Sequence, residues 1–106
     1  MDITTTETLP GRRITSVKGV AVGSTVRSKN IGKDIGAGLK SLVGGELKSY
    51  SDMLTEARAE ALSRMEAQAV ELGADALVNL RFMTSSVASG ASEILAYATA
   101  VTTESS

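Results

Sequence analysis

This sequence predicts an α+β fold, a small antiparallel sheet packed on one long helix and one short helix. Three observations carry that expectation. From Glu46 to Leu72, apolar or small residues recur at Leu47, Tyr50, Leu54, Ala57, Ala61, Met65, Ala69 and Leu72, steps of three or four that put one buried stripe on a helix. Two later stretches, Ala74 to Val87 and Glu93 to Thr102, alternate residue by residue as strands do. A third β-rich run, Arg13 to Val26, precedes the helices.

In chain order, Ile3 to Thr8 is Thr-rich and reads as a short strand ended by Pro10-Gly11. So short a strand must add to an existing edge, of its own subunit or of a neighbour. In Arg13–Val26, Val20, Val22 and Val26 share one face, and Thr15, Val17 and Ala21 the other. Gly19 and Gly23 interrupt the run and predict a bulge, a bend or a close backbone approach; their spacing matches no phosphate-binding fingerprint. Arg27, Lys29 and Lys33 form a small cationic stretch, read as a solvated loop with anion binding as the functional alternative. Ile31, Ile35, Leu39 and Leu42 then repeat at helical spacing, with Asn30 placed as N-cap. Gly36 and Gly38 weaken this short helix by about 1 kcal/mol each.

Gly44-Gly45 separates the two helices, and Glu46 falls in the first turn of the long one, where a carboxylate complements the helix dipole. A second reading of Glu46 sets it in a junction, paired with Arg81 or Lys48. Glu56, Glu60, Arg64 and Glu71 lie off the apolar stripe, and Glu60 with Arg64 forms an i,i+4 pair. Leu72-Gly73 signals the C-cap. In the first of the closing strands, Ala76, Val78, Leu80 and Phe82 alternate with Leu77, Asn79, Arg81 and Met83; Ser85 to Ser92, with Gly90, reads as the hairpin loop. In the second, Ile94, Ala96, Ala98 and Ala100 oppose Leu95, Tyr97, Thr99 and Val101.

One helix covers one face of a sheet. The other face is expected to present Leu77, Met83, Leu95, Tyr97 and Val101, more apolar surface than a soluble monomer usually leaves open. The expectation is a homo-oligomer with that face against another copy; the competing arrangement covers it with the chain's own short helix.

Composition narrows the chemistry. A chain of 106 residues is read as one domain, 1–106, and 42% hydrophobic content argues against disorder. A net charge of −1 and only Tyr50, Phe82 and Tyr97 as aromatics give no footprint for nucleic acid. No apolar run approaches the length of a membrane span and no signal peptide is visible, so the expected partners include no membrane and the expected location is cytoplasmic. The chain has no Cys and no His, which excludes disulfides, thiolate or imidazole metal sites, and Cys- or His-based catalysis. An enzyme would have to use Glu46, a Lys or Tyr50 as acid or base, and no spacing demands it. The chain is read as no enzyme, with no cofactor. A partner-binding module of structural or regulatory type is the alternative to a ligand-binding oligomer.

Several motifs together resemble the YbjQ-like family: Thr4-Thr5-Thr6-Glu7 with Pro10-Gly11, Val43-Gly44-Gly45-Glu46, Leu72-Gly73-Ala74-Asp75-Ala76-Leu77-Val78, and Glu93-Ile94-Leu95-Ala96-Tyr97 with Thr99-Ala100-Val101. The resemblance spans nearly the whole chain. Ala98 stands where the family's Tyr-Gly-Thr-Ala pattern has Gly. The family comprises small bacterial and archaeal proteins described as heavy-metal-binding. The resemblance implies a dodecin-subunit-like fold and assembly as a ring-shaped homopentamer. It also implies a metal ion or small ligand, for which Asp34, Glu46, Asp75 and Glu93 are the carboxylates nearest the motifs. Oxygen donors of this kind favour hard cations such as magnesium or calcium over soft heavy metals.

Overall fold

The computed structural model describes residues 1–28 and 51–106 in full and the backbone of 45–50. Its elements run β1 (Asp2–Ile3), β2 (Arg12–Ser28), α1 (Gly45–Glu71), β3 (Ala76–Ala88) and β4 (Ala91–Ser105). The short helix expected over Ile31–Leu42, with Asn30, Lys29, Lys33 and Asp34, lies outside the described residues.

The long helix is where its periodicity puts it. Its end is a Schellman motif: Ala74 N–H donates to Ala69 O at 3.1 Å and Gly73 N–H to Val70 O at 3.0 Å. Gly73 supplies the left-handed turn with φ of +81°, a conformation that costs a residue with Cβ about 1–2 kcal/mol. Ala57, Ala61, Met65 and Ala69 of the stripe are fully buried. Leu54 is half-buried and Leu72, just past the last helical residue, is exposed.

The four strands form one sheet in the order β1-β3-β4-β2. It is mixed rather than antiparallel, because β1 pairs parallel with β3 while β4 pairs antiparallel with both long neighbours. The first strand is also shorter than expected. After Ile3 single backbone bonds still tie Thr4 to Leu77 and Leu80 and Thr6 to Asn79, but local hydroxyl bonds break the regular ladder: Thr6 N–H donates to Thr4 Oγ1, and Thr6 Oγ1 to Thr8 O at 2.7 Å. Threonine hydroxyls compete in this way with a regular ladder. The hairpin loop is tighter than Ser85–Ser92; β3 continues to Ala88 and β4 starts at Ala91, with Gly90 at φ of +75°.

Helix α1 lies over β2 and β4. The contact is made of small side chains: Ala21, Ala96, Ala98 and Ala100, with Ile94, meet Ala57, Ala61, Met65 and Ala69. Gly23 permits the closest approach, since a Cβ there would fall 2.1 Å from Ala61 O and 2.3 Å from Met65 N. The expectation of a close approach at Gly23 is met by the helix backbone. Thr25, the buried polar side chain of this seam, donates its hydroxyl to Ala57 O at 3.0 Å.

Bulges decide which residues meet the helix. Opposite Val78 and Arg81 of β3 stand Thr99 and Tyr97 of β4, so one extra residue is inserted at Asn79–Leu80. Asn79 adopts φ of +57°, which Asn tolerates better than most residues. The insertion inverts the alternation, since a single-residue slip exchanges the faces of a strand. Leu77 and Leu80 therefore both pack toward the helix cluster. Leu77 does not belong to the open face as the alternation alone implied. Two further bulges interrupt β2 at Ile14/Ser16 and at Val17/Gly19.

The open side of the sheet divides in two. Near the start of β3, Ala76, Val78 and Val101 form a second buried cluster with Leu9 and Ile14. Val101 is thus covered by the chain's own β1–β2 segment, not left open. Beyond that cluster the strands run on as a long arm. The chain measures 57 × 23 × 16 Å with a radius of gyration of 17.5 Å, against about 13 Å for a compact domain of this length.

Candidate functional site

The uncovered part of the sheet is the strongest candidate site. Register places Val20, Val22 and Val26 of β2 opposite Thr99, Tyr97 and Glu93 of β4. On the other flank of β4, Arg81, Met83 and Ser85 stand opposite Tyr97, Leu95 and Glu93. All of these side chains project away from α1, because β2 presents Ala21, Gly23 and Thr25 to the helix. Val20, Val26 and Met83 are 62%, 57% and 56% exposed. Leu95 and Tyr97 are half-buried between them. The patch is about 10 Å wide across three strands and about 20 Å long from Val20 to Val26. Arg81 borders it, with its guanidinium turned to Thr5 O at 3.1 Å and Leu80 O at 2.8 Å.

The sheet carries a second apolar surface on its helix side. Among the described residues, helix α1 covers β2 and β4 and not the far half of β3, where Phe82, opposite Ala96, is 41% exposed.

The polar groups at the helix seam are engaged structurally. Arg27 and Arg64 both pair with Glu60. The Arg27 hydrogen bond, reinforced by the charges of both arginines, holds the Glu60 carboxyl below its ordinary value of 4.5, against a smaller opposing effect of burial. Gln68 Oε1 accepts Val22 N–H at 2.5 Å, and Arg64 Nη1 donates to Ser24 O at 2.6 Å. Arg27, the described member of the sequence's cationic stretch, is committed to this seam.

Of the candidate metal ligands, the two with described side chains, Asp75 and Glu93, do not converge. Asp75 accepts from Thr103 N–H at 3.1 Å through Oδ2 and from the Thr103 hydroxyl at 3.0 Å through Oδ1. The backbone bond from Thr103 is the main reason its carboxyl sits below the usual 3.8, with the Arg12 charge adding to it. Arg12 Nε in turn donates to Thr103 Oγ1 at 2.7 Å. Asp75 N–H binds Val101 O, whereas Glu93 stands eight residues further back along β4, about 27 Å away. Glu46 lies in the first turn of α1 and Asp34 outside the described residues. Among the described residues no three carboxylates gather around a common point, and no helix is long and apolar enough to cross a membrane.

A protein-family model described as "Putative heavy-metal-binding" matches residues 1–104. The chain belongs to the YbjQ-like family. Relatives called UPF0145 proteins support this throughout its length: one from Vibrio campbellii is 57% identical over 101 residues, covering 95% of this chain and 97% of its own. Another from Archaeoglobus fulgidus is 59% identical over 99 residues, covering 93% and 92%, and one from Methanosarcina acetivorans is 58% identical over 101 residues, covering 95% of each chain. A crystal structure of a protein of unknown function from Pediococcus pentosaceus, assigned to the DUF74 family, superposes with a TM-score of 0.66 at 18% identity and covers 98% of both chains. It shares the fold.

Against this background, several family-like motifs have structural work. The Leu72–Val78 stretch contains the helix cap at Gly73 and the Asp75 bonds to Thr103. The Thr4–Thr6 run folds back on its own hydroxyls. Of the site residues, the β2 valines were recognisable as one face, but nothing in their pattern said which face α1 takes. Gln68 carries no sequence signal at all; a glutamine on a helix flank looks the same whether or not it meets a strand edge.

Proposed function

We propose that this chain is a non-enzymatic subunit of a homo-oligomer, and that the face of Val20, Val22, Val26, Met83, Leu95 and Tyr97 is its contact with a neighbouring copy. The observation that carries the reading is the exposure of this apolar sheet face in a chain whose helix is already spent on the opposite side. Leaving several valines and a methionine in water forgoes about 25 cal/mol for each Å² that association would bury. The resemblance to the family supplies the count and form, a dodecin-like subunit in a ring of five. A ring needs two different surfaces on each copy, because its contacts are head-to-tail. The helix side of β3 around the exposed Phe82 offers the second.

The donor set does not fit a thiophilic metal. Without Cys or His, only carboxylates and other oxygen donors remain, and these suit hard cations. The role proposed for the assembly is therefore scaffolding or small-ligand binding, with any metal held by oxygen atoms.

Light scattering and native mass spectrometry test the assembly. A defined multimer of the 10.9 kDa chain, five-fold in the family-based reading, is expected at micromolar concentration. Val26→Asp should shift it toward smaller species while leaving circular dichroism unchanged, since Val26 faces away from the helix. A wild-type monomer would refute the proposal.

A further inference from the structure

Arg81 stands apart from the other arginines of the sheet. Arg12 bonds Thr103 and its charge acts on Asp75, Arg13 pairs with Glu104, and Arg27 pairs with Glu60. The described partners of Arg81 are two neutral carbonyls, Thr5 O at 3.1 Å and Leu80 O at 2.8 Å, and both bonds come from Nη1. A guanidinium has five N–H donors in a planar fork. Two bonds to one nitrogen fix that plane, and among the described residues the Nε and Nη2 edge meets no acceptor. Such an edge matches an acid group bidentately. The fold thus positions this charge and, among the described residues, does not neutralise it.

The surroundings of the charge are apolar. Arg81 pairs across the ladder with Tyr97, and Tyr97 with Val22. The next row on the same face is Met83, Leu95 and Ser24, and the row after it Ser85, Glu93 and Val26. From the Arg81 row to the Glu93 row is about 14 Å of strand. Glu93 repels a second anion at that far end. One arginine is also too little charge to hold the face on an anionic lipid surface, where several basic residues act together. The chemistry that fits is a dissolved molecule with one acid group and an apolar tail.

We propose that Arg81 and the apolar strip beside it bind a free anionic amphiphile, a medium-chain carboxylate, with its acid group on the Nε–Nη2 edge and its alkyl chain along Tyr97, Leu95 and Met83. This deepens the small-ligand reading above and rests on the open face described there. The same strip is the face proposed to meet a neighbouring copy. Ligand and copy therefore compete for it, and binding draws the population toward smaller species by mass action.

Calorimetry with dodecanoate below its micelle concentration tests the site, beside dodecyltrimethylammonium, which has the same tail and the opposite charge. Dodecanoate is expected to bind wild type saturably and to shift the Met83 methyl resonance. It should bind Arg81→Gln about ten- to a hundredfold more weakly, with Arg81→Lys between the two, and the cation should bind weakly and alike to all three. Circular dichroism checks that the variants fold, and the comparison of the two head groups on wild type needs no variant. No binding of dodecanoate to wild type, equal binding of both head groups, or dodecanoate binding that Arg81→Gln leaves unchanged overturns the proposal. So does binding to anionic vesicles in place of dissolved dodecanoate. An assembled wild type that excludes dodecanoate and comes apart on Arg81→Gln overturns it too, because the arginine would then hold a carboxylate of the neighbouring copy. An Arg81-dependent dodecanoate site on a wild-type monomer leaves this proposal standing and refutes the assembly reading alone.

Discussion

Gly23 is the position at which one added methyl group should cost most. Its ideal Cβ lies 2.1 Å from Ala61 O and 2.3 Å from Met65 N, where ordinary contact begins at 3.4 Å. Both neighbours are helix backbone, so no side chain can rotate away. To admit alanine, α1 would have to withdraw from β2 by about 1 Å, and packing attraction falls by a quarter to a half over such a gap. The withdrawal would also stretch the bonds from Val22 to Gln68, from Arg64 to Ser24 and from Thr25 to Ala57, each worth about 1 kcal/mol net. Overpacking of about 1–3 kcal/mol together with partial loss of those bonds predicts destabilisation of about 3–4 kcal/mol for Gly23→Ala. Gly11 is the control: it has φ of +77° with nothing within 4 Å of a built Cβ, so Gly11→Ala should cost only its conformational strain, about 1–2 kcal/mol. Urea denaturation followed by circular dichroism compares the two at matched protein concentration. Equal losses at Gly23 and Gly11 would refute the close-approach argument and with it the placement of α1 on β2.

Three further outcomes are expected. Asn79→Ala should lose about 1 kcal/mol because the bulge holds φ at +57°, whereas Asn79→Gly should lose less; the same urea titrations decide it, and a reversed order would mean the bulge is absent. Glu60 and Asp75 both have carboxyls held below their ordinary values, so each favours the folded state above the ordinary carboxylate range and loses that contribution as pH falls through its lowered value. Urea midpoints followed from neutral pH downward should drop more steeply for wild type than for the Glu60→Gln, Asp75→Asn double variant; parallel curves would count against both assignments. Zinc, copper and cadmium should bind weakly and without a fixed ratio in calorimetry, given the absence of thiolate and imidazole, and a stoichiometric sub-micromolar site would restore the heavy-metal description to this chain.

The assembly reading also explains why the core is thin where the helix meets the sheet. Ala57, Ala61 and Ala69 against Ala21, Gly23, Ala96, Ala98 and Ala100 bring backbones close but bury little side-chain volume. Ala98, found where the family pattern has Gly, fits within this seam, buried and opposite Ala21. Much of the larger apolar inventory, Val20, Val22, Val26, Met83 and Phe82, sits outside that seam and exposed.

Local chemistry in the sequence determined the kind and order of the described elements and the stop of the helix, while the strand ends differ from the sequence reading. The three-to-four spacing of Leu54 through Ala69 could make only a helix with one buried stripe, and Gly73 marked its stop because the left-handed cap suits a residue without Cβ. The absence of Cys and His bounded the chemistry before any fold was known. What the tertiary structure decided was which face and which edge each strand presents. Alternation is a local property, but its phase is not: one residue inserted at Asn79–Leu80 turned Leu77 toward the helix, and the bulges at Ile14/Ser16 and Val17/Gly19 reset β2 before its valines. Whether Val22 or Gly23 meets α1 depends on pairing with residues some seventy positions away, and backbone contact at Gly23 selects the glycine face because only there can the helix come close enough.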